Sequence, residues 1–262
     1  MSAFSVSIVI PCLNEEKNIR QAVVSSLEAL DRFSYDGEII IVNDGSSDGT
    51  RAAAEELVRL EGRVRLLNHE VPRGIGASFW DGAMQASKEY VTLIPGDNEN
   101  DAAQILAYAP LTEQVDIVVP FIHNLEIRSW FRRILSSFYR LILNLTFGMN
   151  LNYTNGTVMY RTSLLRNTRL DSTGFFYQAE LLVRLIRQGY LYAEVPNFLR
   201  ARSSGKTKAI SFRSLRAVTG GYLRLAWNVH VLRNAGRRDP SLLCKDSVTY
   251  EKIILAAGEQ KA

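Results

Sequence analysis

The sequence predicts an α/β fold: a mostly parallel central sheet flanked by helices. Five short runs rich in Val, Ile and Leu alternate with helical stretches through the first 120 residues. The runs are nearly continuous in apolar residues, as expected of strands buried on both faces. Polar loops rich in Gly, Asn and acids end three of them, at 11–16, 43–48 and 95–101. In such sheets a ligand sits beyond the carboxyl ends of the strands.

The first strand is expected at "SVSIVIP" (5–11). It lacks a preceding basic region, so it reads as a strand and not as a signal peptide. The helix expected over 15–33 puts Ile19, Val23, Leu27 and Leu30 on one face. "EIIIVND" (38–44) is the second strand, followed by a helix over 48–60 that Ser46 or Ser47 can cap. "VRLLN" (64–68) is the third strand, and a helix over 75–88 follows "PRGIG". "YVTLI" (90–94) and "VDIVVP" (115–120) complete the set.

The second half reads differently. Residues 128–148 place Trp130, Phe131, Ile134, Leu135, Phe138 and Leu141 at helical spacing, with arginines between them. "SLLRN" and 177–189 follow as helices, the latter ended by Gly189 as a C-cap. An extended piece, a basic loop and a basic, patchily apolar segment over 212–238 come next. The tail from 239 is polar and is expected to be weakly ordered.

The 262 residues are enough to bury a sizeable core, and 47% apolar with 22% charged is ordinary for a globular protein. No apolar run reaches the length of a membrane-crossing helix. Cys12 and Cys244 give neither a metal spacing nor a disulfide framework, which points to a reducing compartment. Charge is lopsided. Residues 1–119 carry 9 Lys/Arg and 19 Asp/Glu, whereas residues 120–238 carry 19 and 4. An acidic half suits a cation, and a basic half suits anions or a membrane surface. No recognised nucleic-acid-binding module is present, so no nucleic-acid partner is expected.

At the ends of the first two strands stand Pro11, Asn14, Glu15 and Glu16, and then Asp44 in "VNDGSSDGT". A carboxylate there accepts a base N–H or a ribose hydroxyl, or it simply ends a strand in a turn. Arg73, Gly74 and Gly76 open a helix whose exposed N–H groups and dipole offer a phosphate site, or else a tight turn with close packing. His69, His123 and His230 are scattered and read as structural.

"SIVIPCLNEEKNI", "EIIIVNDGSSDGT", "RGIGAS…DGAMQAS", "YVTLIPGDNE" and "FFYQAELLVRLIRQGYLYAEVP" together resemble the family-2 glycosyltransferases. The likeness covers roughly residues 4–210, and the later part is similar to the polyprenyl-phosphate mannose or glucose synthase branch, including dolichyl-phosphate mannose synthase. It implies the A-type, Rossmann-like nucleotide-sugar fold and inverting chemistry. It also implies that Asp44 contacts the base, with Pro11 and Glu15 beside it; Asn14, in the same loop, is a further nucleotide-sugar-binding candidate.

After the fourth strand the family has Asp-x-Asp-x-Gln, which holds a divalent metal. Pro95 falls on the first acid, Asp97 on the second and Glu99 on the Gln. In an extended segment Asp97 and Glu99 share a face, and both offer oxygens suited to Mg²⁺ or Mn²⁺. Asp101 reads as a helix cap. "RARSSGKTK" resembles the family's phosphate loop, which gives Arg202 and Lys208 as phosphate clamps. Glu180 lies in the acceptor region as a general base, an orienting carboxylate, or a partner to Arg184. Arg132 and Arg133, set among aromatics, suit an acceptor phosphate or a membrane surface, or the charged edge of a core helix. Asn155 and Gly156 belong to the acceptor side.

The resulting expectation is a metal-dependent hexosyltransferase moving a sugar from a UDP- or GDP-sugar to a polyprenyl phosphate or other lipid-linked acceptor. Residues 1–119 would bind the donor, 120–210 the acceptor, and 211–262 the membrane, peripherally at its cytoplasmic face. Two rivals stand: transfer to a sugar hydroxyl in polysaccharide or O-antigen synthesis, and a nucleotide-sugar binder without turnover.

Overall fold

The computed structural model describes residues 4–124, 130–198, 212–232 and 240–259. Seven strands form one sheet: β1 Ser5–Cys12, β2 Asp36–Asp44, β3 Val64–His69, β4 Tyr90–Leu93, β5 Ile117–Ile122, β6 Met159–Arg161 and β7 Tyr192–Asn197. Their order is β3-β2-β1-β4-β6-β5-β7. Among the described strands only β6 is antiparallel, and it pairs with both β4 and β5. The chain moves outward from β1 through β2 to β3, then returns to place β4 on the other side of β1. The crevice between β1 and β4 is therefore the switch point where ligands bind in open α/β sheets.

Side chains alternate between the two faces, which explains the continuous apolar runs. Ile8, Ile10, Ile39 and Ile41 enter one core, with α1 (Ile19–Phe33), α2 (Thr50–Leu60) and α4 (Ala102–Leu106) against them. Val9, Ile40 and Val42 enter the other, against α3 (Ile75–Gln85), α6 (Thr162–Arg166) and α7 (Tyr177–Gln188). A third cluster joins α5 (Trp130–Phe147), α7 and α8 (Phe212–His230) through Phe147, Phe176 and Leu225.

Several boundaries differ from expectation. The segment 15–18 is a turn in which the Glu15 carbonyl accepts from Asn18 and Ile19 N–H, so α1 starts later. Neither Ser46 nor Ser47 caps α2; Asp48 Oδ1 accepts from Thr50 N–H instead. Asp101 does cap α4, by accepting from Ala103 N–H, and Gly189 ends α7 at φ 107°. The tail is not a loose polar end. Leu243 and Cys244 are buried, and α9 (Val248–Glu259) follows. The buried Asp116 carboxylate accepts from Val248 N–H at 2.8 Å and from Thr249 N–H at 3.0 Å. Such a bond between β5's approach and the last helix is 132 residues long in sequence and leaves no local trace.

Candidate active site at the carboxyl edge of the sheet

Two loops clasp each other at the ends of β1 and β2. Asn14, at φ 56°, donates its N–H to Ser46 Oγ and accepts from Ser47 N–H at 2.8 Å. Glu15 N–H donates to Thr50 Oγ1, and Glu16 accepts from Gly49 N–H. The two serines thus lock loop to loop. Pro11 is the second-last residue of β1, and its carbonyl accepts from Gly96 N–H across the switch-point crevice. Glu15 Oε2 accepts from Asn18 Nδ2.

Asp44 ends β2 directly opposite His69, which ends β3. Its Oδ1 lies 2.8 Å from His69 Nδ1 and accepts from Arg73 N–H, while Oδ2 accepts from Gly74 N–H at 2.9 Å. Burial opposes ionisation of Asp44, but these hydrogen bonds outweigh it and hold the carboxyl below its usual range. His69 Nε2 faces Asp81 Oδ2 at 3.1 Å, and Arg73 Nη1 reaches the same oxygen. His69, read from the sequence as structural, and Asp81 both join the cluster around Asp44. The legible signal was positional: the third strand, like the second, ends on a polar residue that cross-strand register brings beside Asp44.

The helix N-terminus expected to hold phosphate is already occupied. Gly76 and Ala77 N–H both donate to the Thr173 carbonyl, at 2.8 and 3.1 Å, and Gly74 N–H is taken by Asp44. This corrects the reading of exposed N–H donors at Gly74 and Gly76. Gly74 is required by its φ of 98° and by Thr173 O, which would lie 2.7 Å from a Cβ. Arg73 projects a half-exposed guanidinium, paired with Asp81.

The stretch after β4 is a turn, not the extended segment expected. Asn98 has φ 59°, and Asp97 Oδ1 accepts from Glu99 N–H at 3.1 Å. The alternation argument for a shared face therefore fails, although both acids stay on one short turn. Among the described residues no three His, Cys, Asp or Glu side chains are grouped to hold a metal ion. Asp97 and Glu99, on one short turn, would fit Mg²⁺ or Mn²⁺ in one mode: one or two protein oxygens, with substrate phosphate and water completing the shell.

Glu180 is not a solvent-facing base. It is 2% exposed, and its Oε1 takes Arg184 Nε at 2.9 Å and Asp171 N–H at 3.1 Å. Arg184 Nη2 also pairs with Asp171 Oδ2. The triad pins the loop whose Thr173 carbonyl caps α3, so Glu180 positions and does not face the crevice.

β5 runs in the same sense as β4, so its end lies on the same edge. Beside it opens a cleft of about 900 Å³, lined in part by Phe121, His123, Trp130, Arg133, Phe138 and Tyr153. Asn155 lines it too. Of Arg132 only the position in α5 is described. Arg202 and Lys208 lie outside the described residues.

The chain is 27% identical to polyprenol monophosphomannose synthase of Mycolicibacterium smegmatis over 77% of its length and 79% of that protein. It is 25% identical to dodecaprenyl-phosphate galacturonate synthase of Rhizobium johnstonii over 65% of its length, a match spanning 52% of that protein. Glucosyl-3-phosphoglycerate synthase of Mycobacterium tuberculosis, in complex with UDP, superposes with a TM-score of 0.64 at 21% identity, covering 87% of this chain and 80% of that one. The same enzyme with Mn²⁺, UDP-glucose and phosphoglyceric acid gives 0.65 at 23%, over 86% and 80%. These likenesses show the α/β glycosyltransferase fold. The model of glycosyl transferase family 2 matches residues 7–172, and the chain belongs to that family of glycosyltransferases.

Proposed function

We propose that this glycosyltransferase moves a sugar, with inversion, from a UDP- or GDP-sugar to a polyprenyl phosphate at the cytoplasmic face of a membrane. The observation that carries the reading is the cleft beside α5, where Arg133 stands among aromatics and apolar side chains at the carboxyl edge of the sheet. That lining suits an anionic head on an apolar chain. The curated relatives are named for polyprenol- and dodecaprenyl-phosphate products, which supports a lipid acceptor.

In this reading residues 1–119 bind the donor and 120–210 the acceptor. Asp44 contacts the base beside Pro11, Asn14 and Glu15, and Arg73 faces the donor phosphates with Gly74 at its side. Asp97 and Glu99 would hold the divalent cation, which when bound neutralises charge growing on the leaving diphosphate. Arg133, with Arg132, Arg202 and Lys208, holds the acceptor phosphate. One acceptor oxygen attacks the anomeric carbon as the bond to the nucleoside diphosphate breaks. A phosphate monoester is already anionic near neutral pH, so no strong base is required, in keeping with the buried Glu180, whose carboxylate accepts from Asp171 N–H and Arg184 Nε.

Attachment to the membrane would be through α5 and α8, whose Trp130, Phe138, Leu145 and Trp227 are exposed. Among the described residues no helix is long and apolar enough to cross a membrane. The test is a panel of UDP- and GDP-sugars with Mg²⁺ or Mn²⁺, each with polyprenyl phosphate, a soluble phosphorylated acceptor or neither. Transfer to the polyprenyl phosphate is expected. Transfer only to the soluble acceptor, or donor binding with no turnover, would sink the proposal.

A further inference from the structure

We infer that His69 is a positioning residue: as an imidazolium it holds Asp44 and couples nucleotide binding to proton binding. The inference rests on the reading of Asp44 as the nucleotide-contacting carboxylate.

The geometry is a closed circuit. His69 Nδ1 faces Asp44 Oδ1 at 2.8 Å, and Nε2 faces Asp81 Oδ2 at 3.1 Å. Arg73 completes it, with its N–H on Asp44 Oδ1 and its guanidinium on Asp81. An ionised carboxylate only accepts hydrogen bonds, so a ring that donates to both carries both protons. Removing one proton leaves a ring lone pair aimed at a carboxylate.

The charged groups around the ring are Asp44 from β2, Asp81 from α3 and, through Asp81, Arg73 from the loop between β3 and α3. With the imidazolium, two anions are matched by two cations. With the neutral ring, the cluster carries a net negative charge where an anionic nucleotide approaches. Both effects have the same sign: nucleotide binding weakens as pH rises and the ring loses its proton. The ring is 8% exposed, so solvent screens little of this.

The experiment measures Kd of UDP and of GDP by calorimetry for wild type, His69→Gln and Asp81→Asn. It spans about pH 5 to 8, the range over which imidazoles change charge. The nucleotide's own phosphate titrates in that range, so the readout is the difference between chains. At the acid end wild type should bind about tenfold more tightly than His69→Gln, the scale of one charge-assisted hydrogen bond. That advantage should vanish at the alkaline end. Asp81→Asn should lower the acid-end affinity toward that of His69→Gln, because the ring loses the carboxylate that faces Nε2. Asp81 is one-third exposed, so this variant reads the circuit even where His69→Gln does not fold. Nucleotide binding with parallel pH profiles in all three chains would overturn the inference and leave the base-binding reading standing. Binding of neither nucleotide to wild type at any pH would overturn both.

Discussion

Glu180 and Arg184 stand one turn apart on α7, their side chains buried and 2.8 Å apart. Asp171 joins them, and the loop it belongs to sends the Thr173 carbonyl onto the first turn of α3. A residue that sequence likeness offers as a base is thus part of the frame that shapes the first turn of α3.

Replacing Glu180 separates the two roles. Glu180→Gln leaves the Arg184 charge half-paired in a dry site, and loss of one partner from a buried pair costs about 3–5 kcal/mol. Urea unfolding should show a loss of at least about 2 kcal/mol, the amide retaining part of the hydrogen bonding. The folded fraction should keep kcat with a polyprenyl phosphate acceptor within about tenfold of wild type. A general base contributes about 10²–10⁴-fold, so a fall of that size without a stability change would restore the catalytic reading.

Asp97 is the acid to remove first on the turn after β4. Asp97→Ala gives up the hydrogen bond to Glu99 N–H on a partly exposed turn and buries nothing new, so thermal stability should change little. Transfer stimulated by Mg²⁺ or Mn²⁺ should fall by about 10²-fold or more, the scale of lost electrostatic stabilisation at a leaving group. Glu99→Ala should fall less. Full metal-stimulated activity in Asp97→Ala would end the metal assignment.

Much of this fold is written locally. Ile39, Ile40, Ile41 and Val42 announce a strand buried on both faces, and Asp101 and Gly189 announce helix ends. The rest depends on contacts between distant residues. β6 is three residues long, too short to carry a period, and exists because β4 and β5 pair with it. The Thr173 carbonyl closes the supposed phosphate pocket from about 100 residues away, as the handful of polar atoms in any loop can. The polar composition hid the ordered tail, because the buried Asp116 that accepts from two of its N–H groups lies 132 and 133 residues away. At the site, Asp44 was legible from its motif, but its partnership with His69 required the register of β2 on β3.

Acid sensitivity follows from two buried carboxylates. Glu38 accepts from Ser7 Oγ, Ser87 N–H and Ser87 Oγ, and it pairs with Arg65. At Glu38, as at Asp44, burial opposes ionisation but the hydrogen bonds win, and the carboxyl lies below its usual range. A depressed folded value contributes stability above the unfolded value, near about pH 4, and loses it as pH falls through the folded one. Urea midpoints should therefore drop steeply below about pH 4. Glu38→Gln should flatten that drop while leaving nucleotide affinity of the folded protein unchanged, since Glu38 lies near the amino end of β2. An unaltered pH slope in Glu38→Gln would refute the attribution.

The exposed faces of α5 and α8 make the membrane reading testable without knowing the sugar. Trp130 and Trp227 are 71% and 58% exposed, and Ile134, Phe138 and Leu145 of α5 and Leu223 of α8 are exposed with them. Wild type should sediment with vesicles containing anionic lipid at low salt. It should be largely released by about 1 M salt, where the Debye length shrinks to about 3 Å. Trp130→Glu with Trp227→Glu removes two apolar anchors and adds two negative charges. It should weaken vesicle binding by about 10²-fold or more, at roughly 1.5–3 kcal/mol for each buried large side chain. Its unfolding midpoint should stay near that of wild type, because neither ring is in a core. A wild-type chain that stays in the supernatant at low salt would remove the membrane from the proposal and return the cleft beside α5 to soluble acceptors.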